Sequence, residues 1–278
     1  LLKSHNNYLL IVFDSCRYDT FIEARAKRMR KLGKVEKRWS YASWTSPSHF
    51  NMLTGLLPHQ SPKKVYASDY YQRDFLKFNE RLGGEGLKFE SLVPKLYLPP
   101  FLKSLGYKTH ARVSLPVLNP STILNDGFDS YKLMPAHNDF RAMLQEVKFS
   151  EEHPSFYLLN VGETHYPYAL AGEPRDTWPT LNGVHGVFKH LDQHTIGGKI
   201  RRTTFHAGKL KELRARQVDA VRFLDRQMEQ LFDTIPQNTF ITITSDHGEL
   251  FGEDGYFGHG PIQHPKVFEV PFVEGKIR

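Results

Sequence analysis

The sequence predicts an α/β fold built on a mostly parallel sheet. Three observations carry that reading: continuous apolar runs, helical patterns between them, and chemically useful residues where the runs end. The runs are residues 8–13, 156–161 and 239–244. Their hydrophobicity is continuous rather than alternating, which suits strands buried on both faces of a parallel sheet. Residues 107–113 and 267–273 are weaker strand candidates. Helical periodicity fills the intervals at 17–32, 94–105, 137–147 and 210–232, with Gly106 placed as a C-cap for the second of these. Strands alternating with helices give the fold class. Residues 164–208 are rich in Gly, Pro and His with little periodicity and read as a long loop or cap.

In open parallel sheets ligands bind beyond the carboxyl ends of the strands, so the residues after each run matter. The first run ends in Asp14, the second in Glu163-Thr164-His165, and the third in Ser245-Asp246-His247-Gly248-Glu249. One carboxylate after a strand is an ordinary turn residue. Three termini bringing carboxylates and imidazoles to one edge point to a site. Asp14, Asp246 and His247 offer oxygen and nitrogen ligands, which suit Zn²⁺ or Mn²⁺ better than Ca²⁺. One metal site is expected, a second possible.

The segment Ser43-Trp44-Thr45-Ser46-Pro47-Ser48-His49 reads as a loop entering a short helix that Gly55 ends. Ser46 is expected as N-cap and Pro47 at the first helical position. Thr45 then sits just before a helix N-terminus, where the dipole favours anions. Its hydroxyl, ionised beside a metal, is a candidate nucleophile toward phosphorus or sulfur. His259 lies in the glycine-rich stretch Gly252–Pro261, which permits close approach to a ligand.

The chain has 278 residues, of which 24% are charged and 40% hydrophobic, which excludes a disordered or collagenous protein. Its longest apolar run is the six residues 8–13, far short of the roughly 20 of a membrane span. No signal-peptide pattern opens it, and a single cysteine, Cys16, forbids an internal disulfide. A cytoplasmic setting is the resulting expectation. The net charge of +7 is concentrated in two windows, 25–38 and 199–216, which carry +7 and +6 and leave −6 for the remainder. Charge runs are usually solvated faces, but a positive rim would also attract an anionic substrate. Neither window shows the interleaved aromatics of a nucleic-acid binder, so nucleic acid is disfavoured.

These segments, taken in order, resemble the sulfatase branch of the alkaline phosphatase superfamily. Leu10-Ile11-Val12-Phe13-Asp14 is similar to the family's first strand with its metal-binding Asp, and Thr45-Ser46-Pro47-Ser48-His49 with Leu53-Thr54-Gly55 to its nucleophile signature. Leu105-Gly106-Tyr107 and Gly127-Phe128-Asp129 match structural landmarks. Thr164-His165-Tyr166-Pro167 resembles the active-site His-x-Pro, and Ser245-Asp246-His247-Gly248 through Gly258-His259-Gly260 the late metal-binding block. The resemblance implies a three-layer α/β/α catalytic domain spanning 1–278, with the C-terminal subdomain of longer relatives absent or truncated.

It also implies roles. Asp14, Asp246 and His247 would bind the metal, and Thr45 would be both ligand and nucleophile. His165 and His259 would hold the transferred group, and either could protonate the leaving group. His49 replaces the Arg that follows Pro-Ser and is expected at the substrate, while Ser15 replaces the usual second Asp. Threonine cannot become the formylglycine of sulfatases, so a sulfuric ester hydrolase is the weaker alternative. The pattern looks instead like phosphodiesterases and phosphoglycerol- or phosphoethanolamine-transferring relatives. The expected function is therefore a metal-dependent hydrolase or transferase of a small or lipid-like phosphate ester, through a phosphothreonine intermediate. A non-catalytic relative that binds an anionic ligand or partner is the rival.

Overall fold

A computed structural model describes residues 5–92, 96–181, 184 and 205–277. Its strands are β1 (Asn7–Phe13), β2 (Glu36–Trp39), β3 (Lys108–Val113), β4 (Ser130–Leu133), β5 (Ser155–Val161), β6 (Thr239–Ser245), β7 (Leu250–Phe251), β8 (Phe257–Gly258) and β9 (Glu269–Lys276). Its helices are α1 (Tyr18–Ala24), α2 (Thr45–Leu53), α3 (Ala67–Leu76), α4 (Phe78–Leu82), α5 (Phe89–Leu92), α6 (Leu98–Ser104), α7 (Phe140–Gln145), α8 (Ala207–Thr234) and α9 (Pro265–Phe268).

The three continuous apolar runs form the centre of a seven-stranded sheet, ordered β2-β9-β6-β1-β5-β3-β4. β1 pairs in parallel with β5 and β6, and β3 with β4 and β5, whereas β9 runs antiparallel to β6 and β2. Every residue of β1, β5 and β6 is buried because both sheet faces are covered. Alternate side chains of β1 enter opposite layers. Leu9, Ile11 and Phe13 pack with Phe21, Met143, Val221 and Leu224, while Tyr8, Leu10 and Val12 pack with Met52, Phe75, Phe78 and Leu102. This is the expected three-layer α/β/α arrangement. A third, smaller cluster of Tyr166, Tyr168, Leu181, Leu210, Leu213 and Phe251 holds part of the 164–208 segment down on the amino end of α8. Positions 182–183 and 185–204 of that segment lie outside the described residues.

The helix expected over 17–32 ends after Ala24, where Arg25 turns left-handed at φ 62°. The chain continues as a 3-10 turn at Met29–Lys31, fixed because Asp225 accepts hydrogen bonds from the Arg28 and Met29 amides. Likewise the 137–147 helix shortens to α7, whose first turn is capped by Asp139 accepting from Ala142 N. The 94–105 helix begins only at Leu98 with two prolines in its first turn, and Pro94 is outside the described residues. The last strand begins at Glu269 because residues 265–268 form α9, capped by the His264 side chain. The edge strands β2 and β4 have no apolar run to announce them; β2 reads Glu-Lys-Arg-Trp.

Candidate active site

After β1 the chain first reaches β2 at the far edge beyond β9, then fills β3, β4 and β5 on the other side of β1, while β6 lies beside β1 opposite β5, so the parallel strands switch sides between β1 and β6. That crevice is where an open α/β sheet places its ligand. Asp14 follows β1 and Asp246 and His247 follow β6. Each offers one ligand atom, and these atoms lie within 4.8 Å of one another, all fully buried.

The donor set is oriented by a surrounding hydrogen-bond shell. His247 Nδ1 lies 2.9 Å from Gly248 O and donates its proton there, which leaves Nε2 as a bare acceptor. Asp246 Oδ2 is 3.3 Å from that Nε2, and it is buried without a hydrogen-bond partner among the described residues. Asp246 Oδ1, by contrast, accepts from Ser15 N at 3.0 Å and His247 N at 2.8 Å. Two acceptors facing each other in a dry site repel unless a proton or a cation lies between them. The charges say the same. Burial, and then the charge of Asp14, push the Asp246 carboxyl well above its ordinary range. Burial also works against Asp14, but His165, His247, His49 and the Asn160 amide hold it lower than usual. His247 is pushed well down by burial and by neighbouring His259. The residues present therefore fit a divalent cation.

Thr45 opens α2 at its first position, not just before it as expected; Trp44 takes the N-cap position and Ser46 instead hydrogen-bonds Val117 O. The Thr45 hydroxyl lies 3.3 Å from His247 Nε2, so the helix N-terminus is brought onto the metal-ligand set. Ser40 and Ser48 anchor this loop by donating to Asp246 O.

His49 is placed differently from the expectation that it meets substrate. It is 1% exposed, its Nδ1 donates to Thr45 O at 2.8 Å, and its Nε2 accepts from Asn160 Nδ2 at 3.3 Å. Burial pushes its pKa down, and its ring clamps the Thr45 backbone. His165 and His259 are brought together on the open side, with ring centroids 5.4 Å apart, and His259 is 4.2 Å from the His247 ring. His165 Nδ1 donates to Tyr166 O at 2.7 Å. His259 Nδ1 faces Glu249 Oε1 at 3.3 Å; burial alone would lower its pKa, yet this carboxylate raises it. Tyr168 hydrogen-bonds the other Glu249 oxygen.

Four residues support the site in roles that the sequence did not assign. Asn160, the polar residue within the second apolar run, donates to Asp14 Oδ2 at 2.9 Å and accepts from the amides of Ser114 and Leu115. Its position one residue from the strand end was the available signal. Gln217 on α8 bridges Ser15 O and Thr164 O and accepts from Arg17 N and Thr20 Oγ1. Ser15 holds φ 60°, uncommon outside glycine, while its hydroxyl donates to Asp14 Oδ1 at 3.2 Å. Glu249 followed the metal-binding block without a role. Glu163, by contrast, turns away from the site and caps α7 by accepting from Phe140 N at 2.7 Å.

The basic windows form less of a free rim than their charge suggested. Arg28 pairs with Asp225 and Glu229, Lys37 with Glu269, Arg38 with Glu36, Arg214 with Glu23, and Arg216 with Glu173. Positions 199–204 lie outside the described residues. Among the described residues, no helix is long and apolar enough to cross a membrane.

Comparisons with known proteins place this geometry in context. No curated protein matches the sequence. The chain is similar in structure to the C-terminal periplasmic domain of EcEptC from Escherichia coli in complex with zinc, at TM-score 0.57 and 13% identity over 99% of this chain and 73% of that one. It is also similar to the soluble domain of lipooligosaccharide phosphoethanolamine transferase A from Neisseria meningitidis, at TM-score 0.51 and 12% identity over 98% and 77%. The lipoteichoic acid synthase LtaP from Listeria monocytogenes matches at TM-score 0.52 and 12% identity over 97% and 65%. At such identities these likenesses speak for the fold. The Sulfatase family model matches residues 6–273, and with nearly the whole chain matched, the protein belongs to the sulfatase family.

Proposed function

We propose that the protein is a metal-dependent phosphoryl-ester hydrolase or transferase in which Thr45 is the nucleophile. The observation that carries this is Thr45 Oγ1 at the start of α2, 3.3 Å from the imidazole of a buried Asp14–Asp246–His247 set. A divalent cation held by those three residues would lower the pKa of the Thr45 hydroxyl and offset charge on the phosphate. Zn²⁺ and Mn²⁺ are the ions this donor chemistry favours.

Thr45 attacks phosphorus in line; its oxygen forms the new P–O bond, its proton leaves to solvent, and the P–O bond to the departing group breaks. The leaving oxygen takes a proton from His165 or His259, which line the open side together. Both imidazoles, with the first turn of α2, stabilise charge growing on the phosphoryl oxygens. Water or an acceptor alcohol then attacks the same phosphorus and releases the Thr45 oxygen. His49 and Asn160 hold Thr45 and Asp14 in register. The named activities of the Neisseria and Listeria neighbours, a phosphoethanolamine transferase and a lipoteichoic acid synthase, support a phosphate ester as substrate. Threonine at the nucleophile position argues against sulfate. The neighbour named as a periplasmic domain supports an extracytoplasmic setting over the cytoplasmic one expected from the sequence, and a fully buried Cys16 suits either.

The test is turnover of bis-p-nitrophenyl phosphate with added Zn²⁺ or Mn²⁺ by the wild type, Thr45→Ala and Asp246→Ala. The reading predicts loss of at least about a thousandfold in kcat for both variants. Equal turnover by all three would overturn it.

A further inference from the structure

A groove of about 650 Å³ runs beside the candidate nucleophile, and Thr45 and His259 form part of its wall. The rest is apolar. Trp44, Pro47 and Phe50, spaced by three, line up along the first turns of α2, and Val117 and Ile123 face them from the segment after β3. Trp44, Phe50 and Ile123 are 50%, 43% and 67% exposed, so three large apolar side chains are held in water at one place. Such an exposed cluster is a sign of a binding surface. Among the described residues, no Lys, Arg, Asp or Glu lines the groove. The size is that of a small-molecule site.

We propose that this groove is the subsite for an apolar ester group of the substrate, an alkyl or aryl group attached to the phosphate that Thr45 attacks. The proposal rests on Thr45 being the point of phosphoryl transfer. Continuity decides the occupant: Thr45 is in the groove's own wall, so whatever fills the groove lies beside the residue that carries the reacting hydroxyl. A macromolecular partner seated there would cover that hydroxyl, whereas an ester group would deliver phosphorus to it. The face made by Trp44, Phe50, Val117 and Ile123 also selects against a second phosphate or a nucleotide along it, because those groups would be desolvated there without a counter-ion among its described residues. Trp44, Phe50 and Ile123 are thus specificity-determining residues.

The experiment measures calorimetric binding of ethyl-, octyl- and phenylphosphonate, each below any micellar concentration, to Mn²⁺-supplemented protein. Phosphonates carry a P–C bond in place of the scissile ester and report binding without turnover. The wild type should bind octylphosphonate at least about tenfold more tightly than ethylphosphonate, since each buried methylene adds to affinity. Phenylphosphonate distinguishes the source: an aryl pocket favours it over octyl, an alkyl channel the reverse. In Ile123→Ser, and independently in Phe50→Ser, the apolar advantage should fall by at least about threefold with ethylphosphonate unchanged. Both side chains are substantially exposed, so the fold is retained. Equal affinity for all three phosphonates in the wild type, or an advantage untouched by both substitutions, overturns the proposal. Failure of the transfer chemistry reads differently: Thr45→Ala would leave turnover unchanged while the phosphonate preference persisted.

Discussion

Thr45 Oγ1 lies 3.3 Å from His247 Nε2, although 202 positions separate the two residues in the chain. Three independent pieces of backbone meet at this point: the end of β1, the end of β6 and the start of α2. The cost of the arrangement is electrostatic. Asp14 and Asp246 share a dry site, and Asp246 carries an unpartnered oxygen facing the lone pair of His247.

That cost gives a prediction whose sign reverses with metal. Without a divalent ion, Asp246→Asn should raise stability by about 1–3 kcal/mol, because it removes a buried carboxylate held beside another. With Zn²⁺ or Mn²⁺ present, the wild type should gain Tm by mass action and the variant should not. Thermal unfolding of both proteins with chelator and with metal measures the two effects.

Asn160→Leu should destabilise the protein by about 2–4 kcal/mol, since it strips hydrogen bonds from Asp14, His49 and the Ser114 and Leu115 amides in a fully buried position. Urea unfolding at neutral pH reads the loss. A value below about 0.5 kcal/mol would show that these contacts contribute little.

Glu163 supplies the pH dependence. It is completely buried, and burial pushes its carboxyl up to about 8. The folded state therefore keeps a proton that the unfolded state releases at its ordinary value near 4.5. Stability from this group is complete below about 4.5, declines as pH rises, and is gone above about 8. Glu163→Gln keeps the bond to Phe140 N without the ionisation. Its stability relative to wild type should rise by a few kcal/mol, on the order of 3, between pH 5 and pH 8.5. Denaturant midpoints at the two pH values test this, and an unchanged difference would contradict it.

Gly248→Ala should disturb the metal-ligand set without touching a ligand. A Cβ there would lie 2.1 Å from Lys266 O, a backbone atom that cannot move aside cheaply. Since Gly248 O also accepts from His247 Nδ1, shifting this turn misaligns His247. We expect both a stability loss of about 2 kcal/mol or more and a metal affinity at least about tenfold weaker. Metal titration followed by unfolding separates the two.

The parts of this site that could be read from the sequence were those fixed by local pattern. Continuous apolar runs locate β1, β5 and β6, and the residues that follow them must fall at one edge of a parallel sheet. Asp14, Asp246, His247 and His165 were legible for that reason. Gln217 and Glu249 act through contacts with distant segments that no spacing in the sequence reports, while Asn160 and Ser15 stood at strand ends without any pattern to give them their partners. His49 shows the limit from the other side. Its place in the signature suggested substrate, but α2 turns it inward, where Thr45 O and Asn160 occupy both ring nitrogens. The helix over 17–32 failed because Asp225, nearly two hundred residues away, captures the Arg28 and Met29 amides.

The most direct test of the central claim is the covalent one. Metal-loaded protein mixed with bis-p-nitrophenyl phosphate and quenched in acid within the first turnover should carry a p-nitrophenylphosphoryl group on the peptide containing Thr45, mapped by mass spectrometry. One equivalent of p-nitrophenolate should accompany it, and Thr45→Ala should show neither. Steady turnover by the wild type with that peptide unmodified, and equal turnover by Thr45→Ala, would contradict the account.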